Sequence, residues 1–402
     1  MGGLSPDRFR KYTDYSLEGR KILVRVDINL PVGRDGRVES FYKIRRYFKT
    51  FDILRDSALV LISHQGRVGD DNFIPLDQHG EWLYNALGER FKYVRDIIGE
   101  SAIKAIKDLQ PGEILLLDNV RLLSEETLKA PPEELKNTIF VKRLAGFFDY
   151  YINDAFGAIH RSHTSLVGFP QVLESMIGPL MEDELRIMDD LIYSRNKCAF
   201  ILGGSKLETK IKVMENILES NSESIFLLGG MVSTAMHAIY GSIPKSEVSG
   251  ILEAMDPSLI ELCREILEKY GDRIYLPTDF RYVDDGNIFE KPFNKYRRGD
   301  RIEDIGSKTV EKYLEILKGY DRVIINGPMG IIENSLTRWG TEEILKGVAN
   351  LNTFKMVGGG HMVLSLERLG LINRYDYVST GGGSMLTLLS GEIPLPLKIL
   401  MR

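Results

Sequence analysis

Short apolar runs that end in glycine recur through the second half of the chain. The runs do not alternate with polar residues, which is typical of strands buried on both faces of a parallel sheet. A glycine directly after such a strand allows the backbone to approach a ligand closely, and the following helix then points its N-terminus at that ligand. The pattern therefore predicts the rim of a phosphate- or nucleotide-binding cleft. The runs and their glycines occupy residues 199–204, 225–230, 323–328, 356–360 and 377–383.

The first half of the chain alternates apolar strand-like runs with helical periodicity. This βαβ rhythm predicts a second, mostly parallel sheet. We expect strands at residues 21–26, 58–62, 113–117 and 150–153, helices at 42–55 and 76–87, and a mostly helical stretch at 133–148.

A helical pattern over residues 181–194 comes just before the first glycine-ended strand and can connect two domains. A chain of 402 residues exceeds a usual single-core domain. We therefore predict an α/β fold with two doubly wound parallel-sheet domains joined by a helix and hinge. The expected limits are 1–175 and 176–390, with a tail at 391–402 that Pro394 and Pro396 should keep extended.

Composition narrows the classes of function. The net charge of −5 argues against general nucleic-acid binding, and no apolar stretch approaches the ~18 residues of a membrane span. The two cysteines, Cys198 and Cys263, stand in no metal or redox spacing, which favours a reducing compartment. We expect a cytoplasmic monomer with neither nucleic-acid nor membrane partners.

Basic and imidazole side chains follow the predicted strands of the first half. Ligands of open α/β sheets bind outside the carboxyl ends of the strands, and arginine grips carboxylates and phosphates with two donors at once. The cluster therefore suits a small, multiply anionic ligand. The alternative is that each arginine pairs with a surface carboxylate and each histidine is a core residue, as we interpret His79 and His237. The segments concerned are 25–29, 64–67, 119–121 and 158–163.

Lys206 and Lys210 stand four residues apart at the start of a predicted helix, directly after Gly203 and Gly204. That spacing puts both lysines on one face, where both could reach a phosphate at the glycine turn. The segment lacks the spacing of the usual P-loop. The alternative is a solvated helix with routine lysines.

Two later glycine turns carry further candidates. Asn326 and Pro328 belong to a proline-stiffened turn, and Glu333 nearby could accept hydrogen bonds from ribose hydroxyls. Alternatively, Glu333 begins a helix and complements its dipole. The glycines at 381–383 favour an anion-facing helix N-terminus, although they could form a mere flexible turn.

Taken together, these segments resemble the phosphoglycerate kinase family, in order along essentially the whole chain. The Gln65 form of the histidine–arginine motif resembles archaeal members most. The resemblance implies two doubly wound domains that bind different substrates and close over them, with a tail returning to the first domain. It rests on residues 25–31, 63–67, 115–121, 153–165, 203–211, 229–230, 304–309, 326–333, 358–360 and 379–383.

The resemblance implies two sets of binding residues. For 3-phosphoglycerate, Asp27 and Asn29 would hold the glycerate end within a basic pocket. That pocket and its loop comprise His64, Gln65, Gly66, Arg67, Arg121, His160 and Arg161, with His163 alongside. ATP or ADP would be held by Gly203, Gly204, Lys206, Lys210, Gly230, Asn326, Pro328, Glu333, Gly358, Gly359, Gly360, His361, Met362 and Thr380.

The chain departs from the family pattern at two positions. The family's reactive-site arginine precedes a threonine or serine by seven residues, and counting back from Thr50 gives Lys43. Either Lys43 takes that role, or the helix is shifted and Arg45 or Arg46 does. The family usually follows its three glycines with an aspartate that contacts nucleotide-bound magnesium, where this chain has His361. Imidazole is a poor Mg²⁺ ligand, so Mg²⁺ would be bound through ATP or ADP phosphates, with no metal ligand from the protein.

The implied reaction is reversible transfer of the γ-phosphoryl of MgATP to the carboxylate of 3-phosphoglycerate. A carboxylate is already ionised at pH 7 and needs no general base, so catalysis depends on positioning and on charge neutralisation. The expected catalytic residues are Lys43, Arg45, Lys206, Lys210 and Gly382. Two alternatives are a kinase of this fold that acts on another small acid, and a nucleotide-binding protein without catalysis.

Overall fold

The structure is a computed structural model that describes residues 3–244, 246 and 249–402. The chain forms two compact units. The first runs to Asp189 and includes Ile393–Arg402, and the second is Asp190–Glu392. The division falls inside a helix, Pro179–Tyr193, and not near residue 175, because Leu180 packs into the core of the first unit. None of the described helices is long and apolar enough to cross a membrane.

The first unit is built on six parallel strands in the order β3-β4-β2-β1-β5-β6. The strands are β1 (Lys21–Arg25), β2 (Ala58–Ile62), β3 (Phe91–Val94), β4 (Ile114–Leu117), β5 (Tyr150–Asn153) and β6 (Glu174–Ile177). The helices are α1 (Tyr42–Arg46), α2 (Phe48–Ile53), α3 (Asp77–Leu87), α4 (Glu100–Asp108), α5 (Pro132–Leu135), α6 (Ile139–Leu144), α7 (Thr164–Val167) and α8 (Pro179–Tyr193).

Alternate residues of one strand enter two different apolar cores, which shows that helices cover both faces of this sheet. Leu59 and Leu61 of β2 pack with Tyr47 and Phe51, whereas Val60 packs with residues of α4 and α6 on the other face. This is the doubly wound arrangement that the uninterrupted apolar strands predict.

The second unit has its own six parallel strands in the order β15-β14-β13-β7-β8-β9. The five glycine-ended runs are consecutive neighbours in this sheet, so their glycines share one edge. The strands are β7 (Cys198–Leu202), β8 (Ile225–Leu228), β9 (Ile274–Tyr275), β13 (Arg322–Asn326), β14 (Phe354–Gly358) and β15 (Tyr377–Ser379). The helices are α9 (Leu207–Ser220), α10 (Gly230–Tyr240), α11 (Ser249–Glu253), α12 (Pro257–Tyr270), α13 (Ser307–Leu317), α14 (Trp339–Ala349), α15 (Gly360–Arg368) and α16 (Gly382–Leu389).

A small antiparallel sheet in the second unit is absent from the sequence prediction. Its strands are β10 (Asp279–Asp284), β11 (Asn287–Pro292) and β12 (Asp304–Ile305), with β10 in the middle. Asp285 and Gly286 both have positive φ, 46° and 77°, as a two-residue hairpin turn requires. An Asp-Gly pair between two strand-like runs is a readable hairpin signal.

One predicted helix is wrong in its continuity. The helix expected over 42–55 is two helices separated at Tyr47, whose buried hydroxyl accepts from Asp27 N at 2.7 Å and donates to Asp154 O at 3.1 Å. The stretch 133–148 is mostly helical, as predicted: it contains the end of α5, then α6, which Thr138 caps by accepting from Val141 N, and a 3-10 turn at Ala145–Phe147.

The expectation of an extended tail is also wrong. The tail contains α17 (Leu395–Lys398), with Pro394 preceding its first turn and Pro396 within it, where a missing N–H costs nothing. The tail belongs to the first unit: Arg10 N donates to Leu400 O, and Arg402 N donates to Arg8 O.

Candidate active site

The polar segments after β1, β2, β4 and β5 lie together in the first unit, because these strands are consecutive in the order β4-β2-β1-β5 and run parallel. Their carboxyl ends therefore meet at one edge. At that edge Arg161, which follows β5, reaches His64, which follows β2, with 3.1 Å between Arg161 NH1 and His64 Nε2. Arg121, which follows β4, donates to Gly66 O.

Lys43 is paired with the predicted glycerate-binding residues. Its Nζ donates to Asp27 Oδ2 at 2.9 Å and to Asn29 O at 3.3 Å. Burial of Asp27 opposes its ionisation, but the charge and hydrogen bond of Lys43, together with the charge of Arg25 and the backbone N–H of Asn29, outweigh burial, so the pKa of Asp27 is lowered. Arg45 is exposed, with its guanidinium carbon 5.8 Å from the centroid of the Trp82 ring. The structure thus brings Lys43, and not Arg45, to Asp27.

Gln65 holds a loop in place. Its side-chain Oε1 accepts from Leu30 N at 2.8 Å, and its Nε2 donates to Leu30 O at 3.0 Å and to Asn72 O at 3.2 Å. Gly66, with φ of 67°, could carry no side chain, since a Cβ would overlap Asn72 O. Asn29 Oδ1 accepts from Gly66 N at 2.9 Å. These bonds fix the loop that ends at the exposed Arg67.

Asn119 is a site residue to which the sequence reasoning assigned no role. Its Oδ1 accepts from Gln65 N at 3.0 Å, and its Nδ2 donates to Gln65 O at 2.8 Å. The same Oδ1 accepts from Arg121 N at 3.1 Å. Asn119 therefore links the segments after β2 and β4, and its place directly after an apolar strand was the available signal.

Two arginines flank the buried imidazole of His64. Arg25 NH2 is 3.0 Å from Nδ1, and Arg161 NH1 faces Nε2. The pKa of His64 is held well below its usual value by burial, then by the charges of Arg25, Arg121, Arg161 and Lys43. Burial, with Arg161 nearby, lowers the pKa of Arg121 to about 10. The imidazole is therefore neutral among fixed positive charges.

His160 and His163 stand at the margin of this basic cluster. His160 is exposed, and its Nε2 accepts from Arg161 Nε at 3.0 Å. His163 is half-buried, with Nδ1 3.6 Å from Glu126 Oε1. His79 and His237 lie in the core as interpreted, and burial lowers the pKa of each to about 4.

The glycine-ended strands of the second unit surround a cavity of about 620 Å³. Two of its turns interlock: Gly204 N donates to Pro328 O at 2.7 Å, and a Cβ at Gly203 would overlap that carbonyl. A Cβ at Gly382 would lie 2.5 Å from Gly359 Cα. Glycine is therefore required where neighbouring strand ends meet.

Lys210 is the buried cation of this cavity, with 3% of its surface exposed. A Cβ at Gly327 would lie 2.9 Å from its Nζ, and one at Gly204 would lie 3.3 Å from it, so two glycine turns enclose the ammonium group. Burial, with Lys206 nearby, lowers the pKa of Lys210 to about 8. Its Nζ makes no hydrogen bond or ion pair with any residue in the part of the chain that the structure describes. Lys206, by contrast, is exposed.

Most predicted nucleotide-binding residues line the cavity, namely Gly204, Lys206, Lys210, Gly230, Asn326, Pro328, Glu333, Gly359, Gly360, His361, Met362 and Gly382. Gly203, Gly358 and Thr380 are buried and do not belong to this lining. Asn326 Nδ2 donates to Gly382 O at 3.4 Å. Glu333 is exposed in a turn that precedes α14, so the alternative that it begins a helix is wrong.

One wall of the cavity was assigned no binding role from the sequence, although residues 304–309 are among the segments that carry the family resemblance. Ile302 and Ile305, beside and within the antiparallel sheet, join Phe293, Pro277 and Ile251 in an apolar surface. Asp304 lies in the same wall and accepts from Gly340 N at 2.6 Å and Ile305 N at 2.9 Å, while burial raises its pKa to about 7. No hydrophobic periodicity in the sequence predicts this wall, because its residues come from separate loops and strands.

A basic cluster on one doubly wound sheet and a glycine-lined cavity on another define a two-domain α/β kinase. The phosphoglycerate kinase family model matches residues 12–392. A phosphoglycerate kinase of Methanothermus fervidus is 36% identical, over 98% of this chain and 97% of that protein. One from Saccharolobus solfataricus is 37% identical, over 94% of this chain and 93% of its own length.

The crystal structure of phosphoglycerate kinase from Pyrococcus horikoshii matches with a TM-score of 0.86 and 32% identity, covering 97% of this chain and 98% of that one. The chain belongs to the phosphoglycerate kinase family. The predictions of this family, of its two-sheet α/β fold and of an enzyme that transfers a phosphoryl group reversibly from ATP to 3-phosphoglycerate are confirmed.

Proposed function

We propose that the basic cluster of the first unit binds 3-phosphoglycerate and that the cavity of the second unit binds ATP. The second assignment rests on one observation, the largely buried Lys210, whose ammonium group lies beside two glycine turns and faces the cavity. A largely buried charge without a counter-charge is unfavourable, and a nucleotide phosphate would supply that counter-charge. The N-terminus of α16 at Gly382 favours the same anion.

For 3-phosphoglycerate, support comes from the number of cationic donors at one edge of the first sheet. Arg121 and Arg161 would bind the phosphate and carboxylate, with exposed Arg67 joining on their solvent side. Asp27 and the backbone of Asn29 would orient the glycerate hydroxyl. Bidentate arginine contacts supply geometry as well as charge.

The chemical step needs no general base, because the acceptor carboxylate is ionised at neutral pH. Lys43, held beside the acceptor by Asp27, would stabilise charge that develops on the transferred group, and Lys210 would do so from the nucleotide side. Arg45 is left out of this step because it packs against Trp82.

Mg²⁺, bound through the phosphate oxygens of ATP and through water, would neutralise charge on the β- and γ-phosphates. The donors of the cavity fit this mode of binding. Both oxygens of Asp304 already accept backbone hydrogen bonds, and the described residues contain no group of three His, Cys, Asp or Glu side chains that could hold a metal. His361 would stay outside the coordination sphere, since Mg²⁺ prefers oxygen ligands.

Calorimetric titration of each substrate alone tests the two assignments. Arg161→Ala should weaken 3-phosphoglycerate binding roughly tenfold or more and leave ATP binding unchanged, since a hydrogen bond to a charged group contributes about 1.5–3 kcal/mol. Lys210→Ala should have the opposite selectivity. Loss of ATP affinity in Arg161→Ala, or of 3-phosphoglycerate affinity in Lys210→Ala, would contradict the assignment of one substrate to each unit.

We further propose that the enzyme works as a monomer in the cytoplasm. Cys198 and Cys263 are both buried and unpaired, as suits a reducing compartment. Sedimentation equilibrium should give the mass of one chain, 45.6 kDa, with and without substrates. A dimer mass would contradict the proposal.

A further inference from the structure

Arg25 is fully buried at the end of β1, and its guanidinium group is fixed on all sides. Its Nε donates to Ser165 Oγ at 2.8 Å, and its NH1 donates to Val26 O. Its NH2 lies 3.0 Å from His64 Nδ1. Arginine stays protonated in proteins and has no acceptor. In this contact Arg25 must therefore donate, and His64 Nδ1 must accept.

Glu126 secures this orientation. Its carboxylate is fully buried and lies 3.9 Å from Arg25 NH2. Ser165 donates to it twice, from Oγ to Oε1 at 2.7 Å and from N to Oε2 at 2.8 Å. Ser165 Oγ thus joins Arg25 to Glu126 and compensates the buried charge, so the guanidinium group has no other direction in which to point.

Arginine must donate in both contacts of His64, those with Arg25 and Arg161, yet a neutral ring can accept at only one nitrogen. Arg25 is fully buried and held by Ser165 and Val26, whereas Arg161 is only partly buried, so the contact with Arg25 decides where the ring proton of His64 lies. A neutral imidazole carries one N–H, and if Nδ1 accepts, the proton is on Nε2. The ring is neutral because it is buried and lies near four cations: Arg25 from β1, Lys43 from α1, Arg121 after β4 and Arg161 after β5. The lowered pKa of His64 agrees with its contact with Arg25, since both require a ring that carries a single proton.

Arg161 NH1 lies 3.1 Å from the same Nε2. With the proton on Nε2, two N–H groups face one another, and neither can accept from the other. A separation of 3.1 Å leaves no room for an atom between these nitrogens, so an anionic oxygen would displace Arg161 NH1 from this contact and accept from both N–H groups beside them. An anion at this position therefore resolves a donor–donor contact that the protein alone leaves unresolved.

We infer that Arg25 is a positioning residue that holds His64 with its proton on Nε2, so that His64 and Arg161 donate together to one oxygen of the bound anion. The anion's identity as 3-phosphoglycerate rests on the proposed function, but the tautomer does not. Arg25 itself does not touch the substrate; it acts through His64.

The tautomer can be read in the ligand-free enzyme. Long-range ¹H–¹⁵N correlation spectra of the ¹⁵N-labelled full chain at pH 7 distinguish protonated from unprotonated ring nitrogens, and His64→Gln assigns the signals of that ring. We expect one tautomer, with Nδ1 unprotonated and Nε2 protonated. A proton on Nδ1, a mixture of tautomers, or two protons on the ring would overturn the inference.

Variants then test the part played by Arg25. Arg25→Met/Glu126→Gln removes both buried charges together, which avoids leaving an unpaired carboxylate. We expect it to lose the single tautomer and to raise KM for 3-phosphoglycerate about tenfold, the effect of one hydrogen bond to a charged group. A preserved tautomer with unchanged KM would remove Arg25 from this role.

Ser165→Ala is the milder variant should the double variant not fold, because it keeps Arg25 and removes only one of its acceptors. We expect a detectable second tautomer and a smaller rise in KM; a spectrum identical to that of the wild type would contradict the inference. Titration with 3-phosphoglycerate separates the two proposals. If the expected tautomer is present but no His64 signal moves, the substrate assignment fails and the tautomer assignment stands.

Discussion

Lys43 Nζ lies 2.9 Å from Asp27 Oδ2, in an ion pair whose carboxylate is almost completely buried while a quarter of the lysine side chain remains exposed. The pair places a flexible cation beside the residue proposed to orient the acceptor. Because Lys43 is partly exposed, it can turn from Asp27 to a transferred phosphoryl group without leaving the site.

Lys43→Ala should lower kcat by about 10²-fold or more while raising KM for 3-phosphoglycerate modestly, since one preorganised charge donor contributes about that much to a charged transition state. Arg45→Ala is the matched control, because it removes from the same helix a basic residue that contacts Trp82 and not Asp27, and it should retain most of the activity. A coupled assay that measures kcat of both variants tests this prediction. A near-normal kcat in Lys43→Ala together with a strongly reduced kcat in Arg45→Ala would assign the catalytic role to Arg45.

Lys210 should make nucleotide binding pH-dependent. Its pKa in the folded enzyme is about 8, so the cation that would meet the phosphate is lost as pH rises through 8 in the free enzyme. Affinity for ATP, measured by calorimetry, should fall between pH 7.5 and 9.5, and Lys210→Met should show weak binding with little slope over about that range. A steep slope retained in Lys210→Met would assign the titration to another group.

The same group should affect stability in the opposite sense. Because the folded-state pKa of Lys210 is below the unfolded value, the unfolded chain binds more protons, and stability rises as pH increases from about 8 to 10.5. Below pH 8 the buried cation is unfavourable, so Lys210→Met should raise the free energy of unfolding at pH 7 by on the order of 1–3 kcal/mol. Urea unfolding at pH 7 measures this change in the free energy of unfolding. A destabilised Lys210→Met enzyme would show that the ammonium group is satisfied in the free protein.

Gly382 and Gly360 offer a matched pair of helix-start glycines. A Cβ at Gly382 would lie 2.5 Å from Gly359 Cα, whereas a Cβ at Gly360 meets nothing within 4 Å. Gly382→Ala should therefore destabilise the enzyme by about 1–3 kcal/mol and displace the α16 N-terminus, raising KM for ATP. Gly360→Ala should change the free energy of unfolding by less than about 0.5 kcal/mol. Equal effects in thermal unfolding would contradict the close-packing argument.

His361→Asp should change how the metal–nucleotide complex is held. His361 is exposed at the start of α15 and lines the cavity, so a carboxylate there could reach the nucleotide-bound ion. We expect the Mg²⁺ concentration for half-maximal activity to fall, because carboxylate oxygen is a better ligand for this ion than imidazole. His361→Asn controls for the loss of the ring. An unchanged magnesium titration would remove residue 361 from the metal argument.

The two lysines of α9 show how far spacing can predict a site. Their separation correctly put both near the glycine turn at Gly204, because an α-helix repeats about every four residues. Spacing could not tell that Lys210 is buried and Lys206 exposed. That difference arises from Gly327, more than a hundred residues away in the chain, whose turn closes over Lys210.

Gln65 and Arg25 show the same limit in the first unit. Gln65 stands within a binding motif, yet both ends of its amide bond to the backbone of Leu30. Arg25 was visible as a basic residue at a strand end, but its partners Glu126 and Ser165 are distant in sequence. The edge strands β3 and β6 were missed because their alternation is imperfect and part of each is exposed.

The sequence by itself determined the local elements and their chemistry: apolar runs that must be buried on both faces, glycines at their ends, and cations after the strands of the first half. Periodicity and backbone freedom are properties of neighbouring residues, so a linear pattern carries them. Only the tertiary structure decided which polar atoms meet. Lys43 against Asp27, Arg25 against His64 and Lys210 between two glycine turns all depend on strand order and register, since these bring distant segments to one edge of a sheet.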